Sequence, residues 1–198
     1  GGDSSAVRDQ LRGVQQIQST CRAFAAILED GSVVIWGDKR CGGDSSAVRD
    51  QLRGVQQIQS TLQGAFAAIL EDGSVVTWGA ANHGGHSSAV RDQLRGVHQI
   101  QATWGAFAAI LEDGSVVTWG DRHYGGDSAA VRDQLKGVQQ IQANRSGAFA
   151  AILADGSVVT WGDADCGGDT SSVRDQLKGV QQIQATDDAF AAIVADGS

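Results

Sequence analysis

The chain has 198 residues, 41% of them hydrophobic and 19% charged, with 27 glycines, no proline, no methionine and a formal net charge of −8. Such a chain is long enough to bury a core, and no apolar run approaches the roughly 20 residues that a membrane-spanning helix needs. An acidic chain without a basic stripe also lacks the phosphate-neutralising surface on which nucleic-acid affinity rests.

A double glycine opens five near-identical copies, at Gly1, Gly42, Gly84, Gly125 and Gly167, in steps of 41 or 42 residues. A fixed period in this range marks a propeller, solenoid or array. The copies read as one repeat domain over 1–198, divided at 1–41, 42–83, 84–124, 125–166 and an incomplete 167–198. The first residue is not Met and no signal or transit segment opens the chain, so it reads as a cut or engineered segment of something longer. The three cysteines are odd in number and missing from several copies, which excludes a repeat-wide disulfide framework. A reducing, intracellular compartment (cytoplasm or nucleus) is the expected setting.

The second copy shows the elements in chain order. Gly42 to Gly54, GGDSSAVRDQLRG, fits either an outer strand or one turn of helix. For the helix, Asp44 or Ser45 would cap it, Val48 and Leu52 fall at i and i+4, and Gly54 would close it. Strand A follows as Val55-Gln56-Gln57-Ile58-Gln59, then strand B as Ala65 to Leu70. Glu71-Asp72-Gly73-Ser74 then leads into strand C, Val75 to Gly79. Asp-Gly between two apolar runs is a strong hairpin signal. A helix over AFAAIL competes, but the Asp-Gly turn ends it after six residues.

With three strands and a returning segment, the A–B and C–D connections must share one face, and the B–C and D–A turns the other. Most of the variation between copies falls in the first pair. The A–B windows are Cys21-Arg22, Leu62-Gln63-Gly64, Trp104-Gly105, Arg145-Ser146-Gly147 and Asp187-Asp188. The C–D windows are Asp38 to Cys41, Ala80 to His83, Asp121 to Tyr124 and Asp163 to Cys166. Variable loops on a fixed frame point to recognition. The bland alternative is that loops tolerate change, against which the EDGS and LRG turns of the other face hardly vary.

The block AFAAILEDGSVVTWGD, followed by a glycine pair and a V-x-x-I strand, resembles the regulator of chromosome condensation repeat. Ala67-Ala68-Ile69-Leu70, Asp72-Gly73 and Val75-Val76-Thr77-Trp78-Gly79 fall in that repeat's order, and the fifth copy follows it as far as Asp196-Gly197-Ser198. The chain departs from it in having Ala65-Phe66 where a Gly and a His are usual, and in reducing a GQLG-like loop to Gly42-Gly43-Asp44. The resemblance implies a β-propeller, usually of seven blades, so five copies would form a small ring, an open arc or part of a larger ring. The expected fold is therefore all-β, a propeller-like array with three to four short antiparallel strands per repeat. An open β-solenoid or arc is the alternative. The resemblance also implies small-GTPase exchange or chromatin association.

The last copy stops before its VVTWG strand, so four Trp-Gly pairs serve five AFAAI strands. An open strand edge there would invite a second chain, and a homo-oligomer through the last repeat is expected. Trp36, Trp78, Trp119 and Trp161 and the five repeated phenylalanines read as blade packing. Trp104 has no counterpart in the other copies, and an exposed Trp among Arg and Tyr has the composition of a binding hot spot.

Chemistry is sparse. The recurring VRDQ reads as an ion pair or solvated turn. EDGS lacks the alternating oxygen ligands of a calcium loop, and GGDSS lacks the Gly-Lys-Ser/Thr end of a phosphate loop. Cys41, His83, His123 and Cys166 lie in separate windows, and His86 forms a further pair with His83, whereas zinc needs ligands converging on one point. The expectation is a non-enzymatic protein- or peptide-binding scaffold without cofactor or metal, its alternatives being the exchange or chromatin role and a structural or engineered self-assembling array. The binding candidates are Arg22, Lys39, Arg40, Gln63, Asn82, His83, Trp104, Arg122, His123, Tyr124, Arg145, Asp165, Asp187 and Asp188.

Overall fold

Small and branched residues on either side of an Asp-Gly turn fold each copy into an antiparallel meander. In the computed structural model, which describes residues 2–195, the first blade is β1 (Val14–Ser19), β2 (Ala23–Leu28) and β3 (Val33–Gly37). The second is β4 (Val55–Ser60), β5 (Ala65–Leu70) and β6 (Val75–Gly79). The third is β7 (Val97–Ala102), β8 (Ala106–Leu111) and β9 (Val116–Gly120). The fourth is β10 (Val138–Ala143), β11 (Ala148–Leu153) and β12 (Val158–Gly162), and the fifth is β13 (Val180–Ala185) with β14 (Phe190–Val194). Among the described residues, four sheets of three strands and one of two result, each in sequence order. Gly1 and the closing Asp196-Gly197-Ser198 lie outside the described residues.

The segment before each strand A is neither an outer strand nor an α-helical turn. It is a 3-10 turn, at Ser5–Gln10, Arg49–Gln51, Arg91–Gln93, Ala129–Gln134 and Arg174–Gln176. Its backbone groups pair locally, as in Gln51 N to Val48 O at 2.9 Å, and Asp44 Oδ1 accepts from Ser46 N at 3.0 Å. Leu52, Leu94 and Leu135 then drop into the core at 7%, 2% and 3% exposure.

Period-two alternation turns strand B into a two-sided packing surface. Ala23, Ala25 and Ile27 of the first blade lie against Val55, Ile58, Phe66, Ala68, Val76 and Trp78 of the second. Ala65, Ala67 and Ile69, on the opposite face of β5, meet the corresponding residues of the third blade, and the pattern recurs beyond it. The alanines are small so that the next blade's Phe and Trp can approach. Those two rings face each other across the B–C pair, with Phe66 opposite Trp78 in register and centroids 5.1 Å apart. Trp78 Nε1 donates to Gly42 O of the preceding crossing at 3.1 Å. Each fully buried Phe, Ile or Val is worth about 1.5–3 kcal/mol, so the inter-blade faces carry the fold.

The A strands of successive blades lie side by side. The array is open between the first and fifth blades. Ile17 is 53% exposed where its counterparts Ile58, Ile100 and Ile141 are fully covered, and Ile193 of β14 is 49% exposed. Among the described residues, no helix is long and apolar enough to cross a membrane.

Candidate binding face

Strand register places the two window sets on one edge. Ala23 pairs with Gly37, so Arg22 and Asp38 meet, and Asp38 N donates to Arg22 O at 2.9 Å. The same bond joins Ala80 to Gly64, Asp121 to Gly105 and Asp163 to Gly147. Each C–D window folds into a 3-10 turn, at Lys39–Cys41, Ala81–His83, Arg122–Tyr124 and Ala164–Cys166. The side chains of Asp38, Asp121 and Asp163 cap three of these by accepting from the backbone N–H two residues on. Gly42 ends the first at φ 90°, and a Cβ there would stand 2.6 Å from the Phe66 ring, so the glycine pair is where one blade lets the next approach.

A buried side chain outside the windows ties each pair together. Thr20, Thr61 and Thr103 donate through Oγ1 to the carbonyls of Cys41, His83 and Tyr124 at 2.8, 3.2 and 2.7 Å. The same oxygens accept from Ala23, Ala65 and Ala106 N. In the fourth blade Asn144 does both, with Nδ2 to Cys166 O and Oδ1 from Ala148 N.

Successive A–B windows are joined through their backbones. Cys21 N donates to Leu62 O, Gln63 N to Trp104 O, Trp104 N to Arg145 O and Ser146 N to Asp187 O, at 2.9–3.1 Å. Such a ladder accepts any side chain. On the opposite face Val55 N donates to Gly31 O and Glu71 N to Gly54 O. A Cβ on Gly73 would lie 2.9 Å from Gly96 Cα. The constancy of the EDGS and LRG turns thus has a packing cause, and its contrast with the windows is no longer an argument for recognition. The positive argument is the surface itself.

At its centre His83, Trp104 and Tyr124 come together. Trp104 is 36% exposed, and its ring stacks on Tyr124 with centroids 6.2 Å apart and planes at 23°. Gly105 lies beneath, where a Cβ would stand 2.9 Å from His83 Nδ1 and 3.0 Å from the Tyr124 ring. His83 Nδ1 is buried without a hydrogen-bond partner, 3.9 Å from Asp121 Oδ2. Gln63 adjoins Trp104 through the ladder. Asn82, Arg122 and His123 are exposed in the neighbouring turns.

The remaining candidates divide by charge. Arg22, Lys39 and Arg40 make the first blade's windows basic, with Arg22 4.0 Å from Asp38 and Lys39 4.0 Å from Asp44. Asp163, Asp165, Asp187 and Asp188 make the far end acidic. There Arg145 lies 3.9 Å from Asp187, and Ser146 Oγ donates to Asp188. These exposed pairs each contribute about 0–1 kcal/mol; their importance is the basic-to-acidic polarity they give the face. Burial, with Asp163 and Asp188 nearby, pushes the Cys166 thiol up. Cys41, His83, His123 and Cys166 occupy separate turns, and among the described residues no three His, Cys, Asp or Glu side chains form a metal-ligand set.

Asp121 and the Thr20, Thr61, Thr103 and Asn144 series were not among the sequence candidates. Their signal was a hydroxyl or amide residue just before every A–B window.

No protein-family model and no curated protein matches the chain. Solved structures match in fold. Prp20p of Saccharomyces cerevisiae, described with its binding to Gsp1p and histones, has a TM-score of 0.64 and 16% identity over 98% of this chain and 57% of its own. Yeast RCC1 (Prp20) bound by Kap60 has a TM-score of 0.59 and 16% identity over 92% of this chain and 54% of its own. Human WBSCR16 has a TM-score of 0.57 and 18% identity over 92% of this chain and 60% of its own. The chain thus spans a little over half the length of these proteins. The blades share the propeller fold of these proteins, in a shortened form.

Proposed function

We propose that the protein is a non-enzymatic scaffold that binds a protein or peptide through its variable face. The observation that carries this reading is the Trp104–Tyr124 stack. It pairs an exposed Trp104 with a half-buried Tyr124, without counterpart in the other described blades, at the centre of a continuous edge and held by bonds that leave its side chains free. Large aromatic anchors of this kind dominate binding energy at protein interfaces. Its proposed setting is intracellular, where the free thiols stay reduced.

The test is affinity capture from a cell extract with the native chain beside Trp104→Ala. We expect a partner held by the native chain and lost, by at least about tenfold, in the variant. The thermal midpoint should change little, because only the stack, worth about 0.5–1.5 kcal/mol, is removed. Equal capture by both chains would refute the reading.

A second reading is a chromatin-associated or small-GTPase exchange role like that of the Prp20p group. The acidic end of the face favours its histone-binding side, since Asp163, Asp165, Asp187 and Asp188 suit a basic partner. Histone retention that falls with salt and with Asp187→Asn/Asp188→Asn would support it. A nucleotide-release assay without acceleration would remove the exchange version. Self-association is favoured by a separate observation, the exposure of Ile17 and Ile193 at the two ends of the array.

A further inference from the structure

The first blade carries a feature that the binding reading does not use. Its A–B window begins with Cys21 and its C–D window ends with Cys41, and the two Sγ atoms stand 3.6 Å apart. The corresponding pairs elsewhere are Leu62 with His83, Trp104 with Tyr124, and Arg145 with Cys166. The third blade of the chain shows the two positions in side-chain contact, as the aromatic stack. Only the first blade fills both with cysteine.

The backbone is already in place. Thr20, next to Cys21, donates to the carbonyl of Cys41 at 2.8 Å and holds the two windows together. A disulfide needs its sulfurs at about 2.05 Å, so the two Sγ atoms must close the remaining gap from 3.6 Å as the bond forms. Access is unequal. Cys21 is exposed, whereas Cys41 is half-buried. Burial, followed by the adjoining Cys21 and Asp38, pushes the Cys41 thiol up, and Arg22 opposes them.

We propose that Cys21 and Cys41 are a modification site, a dithiol that a small-molecule disulfide oxidises reversibly to a bond bridging the two windows of the first blade. Cys21, the exposed thiol, gives up its proton to solvent and attacks one sulfur of the small disulfide. That S–S bond breaks, one thiolate leaves, and a mixed disulfide remains on Cys21. Cys41 then loses its proton and attacks the Cys21 sulfur, expelling the second thiolate. Both protein thiols are oxidised, one small disulfide is reduced to two thiols, and the released protons balance the two thiolates. The bond fixes the loops that carry Arg22, Lys39 and Arg40, so the basic end of the face becomes rigid under oxidising conditions.

The experiment treats the native chain with oxidised glutathione, alkylates the remaining thiols, and maps the peptides by mass. We expect the three free thiols to fall to one, at Cys166. The mass should lose only the hydrogens of the two joined thiols, and one peptide should link Cys21 to Cys41. Reduced glutathione in excess restores all three. Cys41→Ser should instead stop at a glutathione adduct on Cys21, which shows the entry point. A stable adduct on Cys21 in the native chain, or cross-links between copies in place of the internal one, would overturn the proposal.

Discussion

Thr103 shows how a single buried hydroxyl organises recognition it takes no part in. It is 4% exposed, donates to Tyr124 O and accepts from Ala106 N at 3.2 Å. Valine has nearly the same shape, so Thr103→Val would leave the buried Ala106 N–H and the part-buried Tyr124 carbonyl without that partner. The expected cost is about 1–3 kcal/mol, read as a lower urea midpoint with an unchanged slope. An unchanged midpoint would mean that water replaces the hydroxyl and that the windows are held by their backbone bonds alone. Trp104, in contrast, is 36% exposed and stacks on Tyr124, and its loss should be felt in binding. The residue scale thus separates a layer that holds the windows from a layer that faces solvent. The first was hard to find in the sequence because a threonine before a loop is unremarkable until its partner, 21 residues on, is seen beside it.

The hairpin turn is the most legible element. Asp72 Oδ1 accepts from Ser74 N at 2.9 Å and from Ser74 Oγ at 2.6 Å, and Asp30, Asp113 and Asp155 repeat the arrangement. The serine hydroxyl, followed by the serine N–H, holds all four carboxyls below the ordinary range. Because their folded values lie below the unfolded ones, the stabilisation is present above the unfolded Asp value, about pH 4, and is lost as pH falls through the folded values. Thermal midpoints measured downward from pH 5 should therefore decline, and replacing the four aspartates with asparagine should flatten that decline. A midpoint independent of pH in this range would exclude the turns as acid-sensitive elements. The strands, the Asp-Gly turns and the Phe and Trp core were readable because local chemistry decides them. The returning segment was not. Its anchors, Leu52 and its counterparts, are placed by core packing, and local capping suits a strand-free 3-10 turn as well as a helix. The face on which the windows gather followed from strand parity alone. Which window side chains meet did not, because Trp104 and Tyr124 are brought together by the crossing of two separate loops.

At the scale of the molecule, the interface between blades has two halves, and the array displays one of each. The outer side of the first blade offers Val14 and Ile17, which are 36% and 53% exposed, with the half-buried Phe24 and Trp36. Inside the array such a surface is covered by an Ala-x-Ala-x-Ile strand, and β14 carries Ala189-x-Ala191-x-Ile193 along and just before it, uncovered. The basic windows lie at one end and the acidic windows at the other, so copies placed end to end are complementary in charge as well. Sedimentation velocity should show concentration-dependent association that weakens with salt, and Ile17→Asp should weaken it at least about tenfold. A single species at every concentration would count against it.

That sameness of interfaces has another side. Every blade presents nearly the same faces, so the first could stack on the third as readily as on the second, looping out the copy between. Hydrophobic packing cannot tell these arrangements apart, and repeat proteins are prone to such misassembly. Chain connectivity favours the nearest neighbour, since a shorter loop closes at lower entropic cost. What else distinguishes one copy from another is written in the windows. The Arg145–Asp187 pair, the Ser146–Asp188 bond and the His83–Asp121 approach each join consecutive blades and have no equivalent in a skipped order. The variable residues therefore also mark two of the junctions, that of the second blade with the third and that of the fourth with the fifth.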